Sequence, residues 1–336
     1  MTRLPLIGLS FFGIVNLVKL SWILQKTQAR LFAYFRHQTS TVQLRKVPIG
    51  KLPITKGIET NEYIGITNYK EISPYRRIVE IKNAKLNPKT GVVWKNQSLV
   101  TESSIWGEAS LKKYEPCPRM VLNLKHEATS LADNGYFHFL TEDLPRALQV
   151  IEYYPNARVI ISDKAAQYAR DAISFFKNEF IVAQAPLKCE QLLISEKIIG
   201  GVMTENDLIL LKNFQSKLLT HKKNPGKKLF IKRKTGKSIA NDESRGLHFQ
   251  EQVVEKLKIK GFEVCSPEEL SFAAQIELFS SATVIAGFHG AGLANQIWMS
   301  QGSKVIEYSQ ERITKHFSHL AVVCKHNYQY ISVGTI

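Results

Sequence analysis

The stretch best suited to chemistry is the glycine-rich run Gly287–Asn295, with the sequence GFHGAGLAN. It follows the apolar run Val284–Ala286 and precedes a predicted helix, so the glycines lie where a strand turns into a helix N-terminus. Glycines let a backbone approach a ligand closely, free N–H groups of a helix favour phosphate, and His289 can donate a hydrogen bond to a diphosphate oxygen. A tight strand-to-helix connection that needs glycine only for packing is the alternative.

Motifs for the common cofactors and metals are absent from the sequence. The spacing G-x-x-G-x-G differs from the dinucleotide pattern G-x-G-x-x-G, which weakens the case for a dinucleotide cofactor. No Asp-x-Asp pair occurs, so a metal held by that motif is not expected to bridge a diphosphate. The sequence therefore predicts no cofactor and no metal, with phosphate neutralised by arginine, lysine and a helix end.

A second set of candidates lies in the block Asn134–Arg146, with the sequence NGYFHFLTEDLPR. If a helix covers this block, His138 and Glu142 are four residues apart and project on one face, so the carboxylate could orient the imidazole or itself act as a base. Asp143 faces in another direction and is a further candidate base. Pro145 would kink or end the helix. The alternative is an ordinary helical turn with a core-facing aromatic flank and a solvated acidic edge.

Arginines form the third set. Arg233 follows a predicted strand, Arg245 comes shortly after it, and together they suit a diphosphate. Arg146 is a further candidate partner for phosphate or carboxylate, because a guanidinium group can bind either in a bidentate manner. The alternative is that these basic residues are ordinary surface residues, which is the more common role of an isolated run of charges.

The second half of the chain alternates strands with helices. This alternation predicts a parallel sheet with helices on both faces, and ligands of such sheets bind beyond the carboxyl ends of the strands. The glycine-rich run and Arg233 both fall at such ends. The predicted strands are 229–232, 262–265, 283–286 and 304–308, and the predicted helices are 250–260, 272–280 and one from 291.

The first half of the chain is less regular. Residues 42–125 predict short strands broken by turns, and the later elements are helix 142–154, strand 157–161, helix 164–177 and helix 205–219. A chain of 336 residues is long enough for two lobes that each bury a core. Loop composition between 200 and 228 indicates a boundary, and we expect an N-terminal segment 1–40, a first lobe 41–210 and a second lobe 211–336.

Lysine and arginine outnumber aspartate and glutamate by 45 to 29, giving a formal charge of +16. Such a charge favours partners that carry phosphate, which include nucleic acid, anionic lipid headgroups and nucleotides. The cations are spread along the chain, so nucleic acid is not expected as a partner. The four cysteines form no C-x-x-C pair, which indicates a reducing compartment.

The segment Leu4–Leu24 is strongly apolar, is interrupted by Asn16 and Lys19, and is flanked by basic residues. No small-residue cleavage site follows it, so we expect it to be retained. Lysines that reach the headgroups favour an interfacial anchor over a membrane span or an ordinary docked helix. We therefore expect a cytoplasmic protein that associates peripherally with the inner face of the cell membrane through residues 1–36.

Taken in order, these sets resemble glycosyltransferase family 61, which includes bacterial capsule-type enzymes, plant xylan-decorating enzymes and animal O-linked N-acetylglucosaminyltransferases. The His-Gly-Ala-Gly-Leu loop with the downstream glycine and glutamate is the specific part. The similarity rests on the block Tyr136–Arg146, the pair Arg233 and Arg245, the run Gly261–Ser271 with Gln275, the loop His289–Asn295 and the segment Gly302–Glu307.

The resemblance implies a GT-B-like α/β fold, in which two Rossmann-like lobes face a cleft, here preceded by an N-terminal apolar helix. It also implies inverting transfer from a nucleotide sugar to a glycan or lipid-linked oligosaccharide, as in polysaccharide or capsule biosynthesis. His138 and Glu142 would face the acceptor, with Asp143 as the further candidate base, and Glu307 would approach the ribose. The donor site would comprise Arg233, Arg245, Gln275, His289, Gly290, Ala291, Gly292 and Asn295.

Two alternatives from other classes stay open at this point. One is a polyanion or nucleic-acid binding protein, which the positive charge favours but which leaves the glycine-histidine loop unexplained. The other is an inactive transferase-like scaffold. Against it stands the joint presence of His138, Glu142, His289 and the two arginines.

Overall fold

The computed structural model describes residues 44–48, 75–95, 98–100, 118, 120–196, 201–219, 226–234, 239–310, 314 and 316–335. The predicted membrane-associating segment 1–40 and its apolar helix lie outside these residues. Within the described ranges, no helix combines the length and the apolar character needed to cross a bilayer.

The first sheet joins a parallel half to an antiparallel half. Its strands lie in the order β4, β3, β2, β8, β5, β6, β7, and β1 pairs with β2. The pairs among β8, β5, β6 and β7 are parallel, whereas β2 pairs antiparallel with β1, β3 and β8. The strands are β1 (Leu44–Pro48), β2 (Tyr75–Leu86), β3 (Val93–Lys95), β4 (Ser98–Leu99), β5 (Leu122–Ser130), β6 (Arg158–Ser162), β7 (Phe180–Ala183) and β8 (Leu187–Ser195).

The second sheet is parallel throughout, which confirms the alternation predicted for this half of the chain. Its strands lie in the order β10, β9, β11, β12, β13. Since β10 and β11 flank β9 on opposite sides, the winding reverses between β9 and β11, and open α/β sheets bind ligands at such a switch point. The strands are β9 (Lys227–Ile231), β10 (Glu263–Cys265), β11 (Ala282–Phe288), β12 (Lys304–Ser309) and β13 (Asn327–Ser332).

Helices connect these strands, and two of them begin at clear caps. The Thr204 hydroxyl accepts from the Asp207 amide in a capping box, and the Ser271 hydroxyl accepts from the Ala274 amide. The helices are α1 (Tyr136–His138), α2 (Leu144–Tyr153), α3 (Gln167–Ile173), α4 (Glu205–Leu218), α5 (Ile239–Ser244), α6 (Gln250–Ile259), α7 (Phe272–Ser280) and α8 (His316–Val323). The predicted helix from Ala291 is a 3-10 helix, Ala291–Trp298.

The helix predicted around His138 has an unexpected form. A π-helical turn, Phe139–Asp143, joins α1 to α2, so the chain stays helical from Tyr136 to Tyr153. Pro145 was expected to kink or end a short helix, and the ending is wrong. It lies in the first turn of α2, directly after the π turn. A proline is tolerated at this position although it has no N–H to donate.

One hydrophobic core connects the two sheets. It includes Val159 and Ile161 of β6 together with Leu229 of β9 and Ile285 of β11. Helix α4 also hydrogen-bonds to the end of the 3-10 helix Ala291–Trp298, because Gln215 donates to the carbonyl of Trp298 at 2.7 Å and Lys212 donates to that of Met299 at 2.8 Å. The predicted lobe boundary at residue 210 falls within α4 and stays a prediction.

Candidate active site

The carboxyl ends of β9 and β11 bring Arg233 onto the glycine-rich loop. The Arg233 Nη1 donates to the backbone carbonyl of His289 at 3.0 Å. A Cβ atom at Gly290 would overlap the Arg233 guanidinium group. Glycine at this position therefore lets the arginine lie directly on the loop at the switch point of the sheet.

The other loop glycines pack against β9. A Cβ atom at Gly287 would come within 3.2 Å of the Ile231 Cβ, and one at Gly292 within 2.9 Å of its Cγ2. The packing alternative is thus partly correct, because these two glycines allow adjacent strands and the following 3-10 helix to approach. Gly290 differs from them because the space beside it is filled by the Arg233 guanidinium group.

Gly290→Ala is expected to weaken binding of an anionic ligand by about 2 kcal/mol, since the new methyl group displaces the Arg233 guanidinium and its charge-assisted contacts. The measurement is titration calorimetry with a nucleoside diphosphate. Gly226→Ala is the matched control, because a Cβ there meets no atom within 4 Å. Equal affinities for the Gly290→Ala variant and the wild type would contradict the assignment.

Arg233 and Arg245 form a pair of like charges. Burial lowers the pKa of Arg233, and the charge of Arg245 lowers it further, while Asp242 and Glu268 act in the opposite sense. In the described part of the chain, the buried Nε atom of each arginine has no hydrogen-bond partner. Two adjacent guanidinium groups with unused buried donors are suited to an anion with several acceptor oxygens.

A cleft of about 790 Å³ opens beside Arg233, and Arg245 does not line it. Of the predicted donor-binding residues, Gln275, Ala291 and Gly292 line it together with Arg233. Tyr136 of α1 and Tyr168 of α3 line it from the first half of the chain. The two tyrosine rings meet edge to face, with centroids 5.0 Å apart. The cleft is therefore formed by both halves of the molecule and has the size of a small-molecule site.

Asn295 ties the two walls of the cleft together. Its side chain is fully buried, and its Oδ1 accepts from the hydroxyl of Tyr136 at 2.7 Å. Its Nδ2 donates to the carbonyl of Gly292 at 3.1 Å and lies 3.4 Å from the Oε1 of Gln275. These contacts give Asn295 a role in holding the cleft lining, and its predicted contact with a donor stays a prediction.

His138 and Glu142 do project on one face of their helix, as predicted. The Nδ1 of His138 lies 2.6 Å from Glu142 Oε1, which also accepts from the backbone N–H of Gly201 at 2.8 Å. The Glu142 side chain is 3% exposed, whereas that of His138 is 23% exposed. The carboxylate thus orients the imidazole, and the imidazole is the group that solvent or a substrate can reach.

Asp143 lies in a different environment. Its carboxylate accepts from the Asn134 amide group at 3.2 Å, and burial, followed by the charge of Glu142, raises its pKa to about 7. Arg146, a candidate anion partner, is nearby, and its Nε donates to the carbonyl of Ser195 at 2.7 Å. The side chain of Asp143 is 3% exposed, so this candidate base is much less accessible than His138.

His289 is held in a second carboxylate contact. Its Nδ1 hydrogen-bonds Glu307, which also accepts from the hydroxyl of Tyr328. Glu307 is 1% exposed. The structure gives the two Glu307 oxygens these partners, and its predicted approach to a ribose stays a prediction.

Sequence reasoning did not identify His316, which lies behind both histidines. Its ring stacks on Phe137 with centroids 5.4 Å apart. Burial lowers the pKa of His316 to about 4, and the nearby His138, His319 and His289 act in the same sense. Histidines of both halves therefore surround one buried region. No motif marks His316 or Tyr328, because both follow the last segment of family resemblance.

His316→Gln is expected to flatten the loss of stability in acid. The folded-state pKa lies below the ordinary value of 6.5, so this contribution to stability is complete above pH 6.5 and is lost as the pH falls towards 4. At about pH 5 the free energy of unfolding of the wild type should have fallen by about 2 kcal/mol through this group, and the variant should not show that decrease. Urea unfolding at about pH 7.5 and about pH 5 measures it. Replacement of the exposed His248 is the control and should leave the acid-induced loss of unfolding free energy as in the wild type. Equal losses in the His316 variant and the wild type would refute the prediction.

The fold and the site define an α/β protein with a cleft of small-molecule size at a sheet switch point, which Arg233 lines together with residues of the other half of the molecule. The family model of glycosyltransferase 61 matches residues 136–306, from the start of α1 to β12. The chain therefore belongs to glycosyltransferase family 61 and is a glycosyltransferase, with a sugar donor and an acceptor as its substrates. No curated protein matches the chain significantly.

Proposed function

We propose that the protein transfers a sugar with inversion, without a metal, from a nucleotide sugar to a glycan or lipid-linked oligosaccharide acceptor. The observation that carries the proposal is Arg233, which lies on the loop at the switch point and has Arg245 as a neighbouring charge, each with a buried Nε donor that has no partner among the described residues. A nucleotide sugar carries its phosphate next to the reacting carbon, and a paired guanidinium site neutralises the charge that develops there.

The order of strands suggests how the donor lies. The cleft extends beneath the Pro267–Ser271 segment, which follows β10, and it reaches Arg233 after β9. We place the nucleoside on the β10 side, the phosphates at the arginines and the sugar towards β11, where His289 lies. In this arrangement the two halves of the molecule correspond to the facing lobes of a GT-B enzyme.

The reaction then needs one base and one leaving-group site. The Nε2 of His138 takes the proton of the acceptor hydroxyl, whose oxygen attacks the anomeric carbon as the bond to the donor phosphate breaks. Glu142 orients the imidazole and stabilises its protonated form. The arginine pair and His289 stabilise the departing phosphate, and the product carries the opposite anomeric configuration.

The acceptor and the place of action are proposals as well. Polysaccharide or capsule biosynthesis in the cytoplasm, with residues 1–36 on the inner face of the membrane, would confine the enzyme and a lipid-linked acceptor to one surface. Sedimentation of the full chain with vesicles, compared with a variant lacking residues 1–36, tests the attachment. The transferred sugar is a hexose or a pentose.

A product assay tests the transfer. The full-length protein is incubated with a panel of nucleotide sugars and candidate glycan acceptors, with and without EDTA, and the anomeric proton of the product is observed by NMR. We expect one donor to give an inverted product at a rate that EDTA does not change. A retained configuration or a rate abolished by EDTA would overturn the mechanism.

A further inference from the structure

Tyr328, Glu307 and His289 form a series of side-chain contacts, of which the proposed mechanism uses only His289. The series runs across three neighbouring strands, because His289 directly follows β11, Glu307 lies on β12 and Tyr328 lies on β13. Glu307 and Tyr328 both lie beyond the matched segment 136–306.

The partners of Glu307 account for its burial. A carboxylate that is almost completely buried is costly unless hydrogen bonds compensate it. One oxygen of Glu307 faces the Nδ1 of His289 and the other accepts from the Tyr328 hydroxyl. The Nδ1 must therefore carry a proton, which leaves Nε2 as the ring nitrogen for a ligand.

His289 also connects this series of contacts to Arg233. Its backbone carbonyl accepts from Arg233 at 3.0 Å, and its amide donates to the carbonyl of Tyr308 at 2.8 Å. Phe317 lies edge to face on the imidazole, with centroids 5.1 Å apart. The ring is thus fixed by a carboxylate and an aromatic contact, and the backbone carbonyl of the same residue holds the Arg233 guanidinium group.

We propose that Glu307 and Tyr328 are positioning residues that hold the ring of His289 by its Nδ1–H, so that Nε2, in its protonated form, donates a hydrogen bond to the departing phosphate of the donor. The inference rests on the proposed function and assigns Glu307 a partner other than the ribose. Tyr328 supports Glu307, and Glu307 fixes the orientation of the His289 ring, keeps the proton on Nδ1 and stabilises the imidazolium form in which Nε2 also donates. A carboxylate with the same task towards a reactive histidine is found in catalytic triads.

The first test separates turnover from donor binding. Glu307→Gln should lower kcat by about 100-fold and Tyr328→Phe by about 10-fold, with little change in donor Kd, by analogy with the range seen when the orienting partners of metal-binding histidines are removed. The double variant Glu307→Gln with His289→Ala should be no slower than His289→Ala alone, because the residues act as one unit. Tyr330→Phe is the matched control on the same strand and should retain wild-type kcat.

Two kinetic results would overturn the proposal. One is a Glu307→Gln enzyme with wild-type kcat, and the other is a double variant whose loss equals the product of the two single losses. Circular dichroism and thermal unfolding exclude variants that fail to fold.

A second test does not depend on transfer, so it separates failure of this proposal from failure of the proposed function. Nitrogen-15 NMR of the histidine rings in the full-length protein should show the Nδ1 of His289 protonated in the wild type. Glu307→Gln should change the ring nitrogen shifts, because an amide can either accept or donate and no longer locks one tautomer. Identical shifts in the two proteins would overturn the positioning role even in an enzyme whose donor is unknown.

Discussion

Replacement of His138 by glutamine is expected to lower kcat by about 10²- to 10⁴-fold, the range that positioned acids and bases supply, while donor Kd stays close to wild type. The reason lies in the exposures and contacts of the three candidates. Glu142 and Asp143 are nearly fully buried, and the Oε1 of Glu142 contacts both His138 and the Gly201 amide. His138 alone among them offers a side chain that an acceptor hydroxyl can reach.

The variants around His138 make the prediction specific. Glu142→Gln should also lower kcat with near-normal donor binding, because the imidazole loses the carboxylate that orients it. The exposed His248, replaced by glutamine, controls for the loss of a histidine elsewhere. Steady-state and single-turnover kinetics with the identified donor measure these effects. Full activity of His138→Gln combined with inactivity of Asp143→Asn would move the base to Asp143.

The second large effect is on donor binding. Arg245→Ala and Arg233→Ala should each weaken it by about 2–3 kcal/mol, as expected for the loss of a charge-assisted contact in a partly buried site. The two guanidinium groups lie close enough that Arg245 lowers the pKa of Arg233. An anion bound between them removes that repulsion, so both arginines should contribute to affinity for the same ligand.

Arg158→Ala is the control for the arginine variants, because Arg158 pairs with Glu179 on the outside of the first sheet at 2.8 Å. Titration calorimetry with the nucleoside diphosphate and with the matching nucleoside gives the contrast. We expect the arginine variants to lose affinity for the diphosphate and to bind the nucleoside unchanged. Arginine variants that bind the diphosphate as tightly as the wild type would contradict the site.

Much of the second sheet was predictable because its strands and helices are short, apolar and separated by turns. Helix α7 was predicted with its observed bounds, and the alternation gave the parallel sheet. The strand β8 was not predicted, although it lies at the centre of the first sheet. Its sequence LKCEQLLIS lacks the regular alternation of a half-buried strand, so pairing on both sides decides its conformation.

The site was predictable as far as local spacing reaches. The i, i+4 relation of His138 and Glu142 is a property of one helix, and their contact is confirmed even through a π-helical turn. The close approach of Arg233 to Gly290 brings together residues 57 positions apart. It depends on how β9 and β11 pair. The Tyr328 contact depends in the same way on the β12 and β13 register, which no local pattern reveals.

The measurement that most directly tests the central claim is a thermal-shift screen of the full-length protein against UDP, GDP, CMP, dTDP, NADH and heparin, each with and without EDTA. A ligand that binds only the folded state, at about 100 times its Kd, should stabilise the protein by about 2.7 kcal/mol. We expect stabilisation by one nucleoside diphosphate or monophosphate, unchanged by EDTA and lost in the variant lacking both Arg233 and Arg245. A response to heparin alone, or to a nucleotide that the double variant binds equally well, would contradict the claim that these arginines hold the donor.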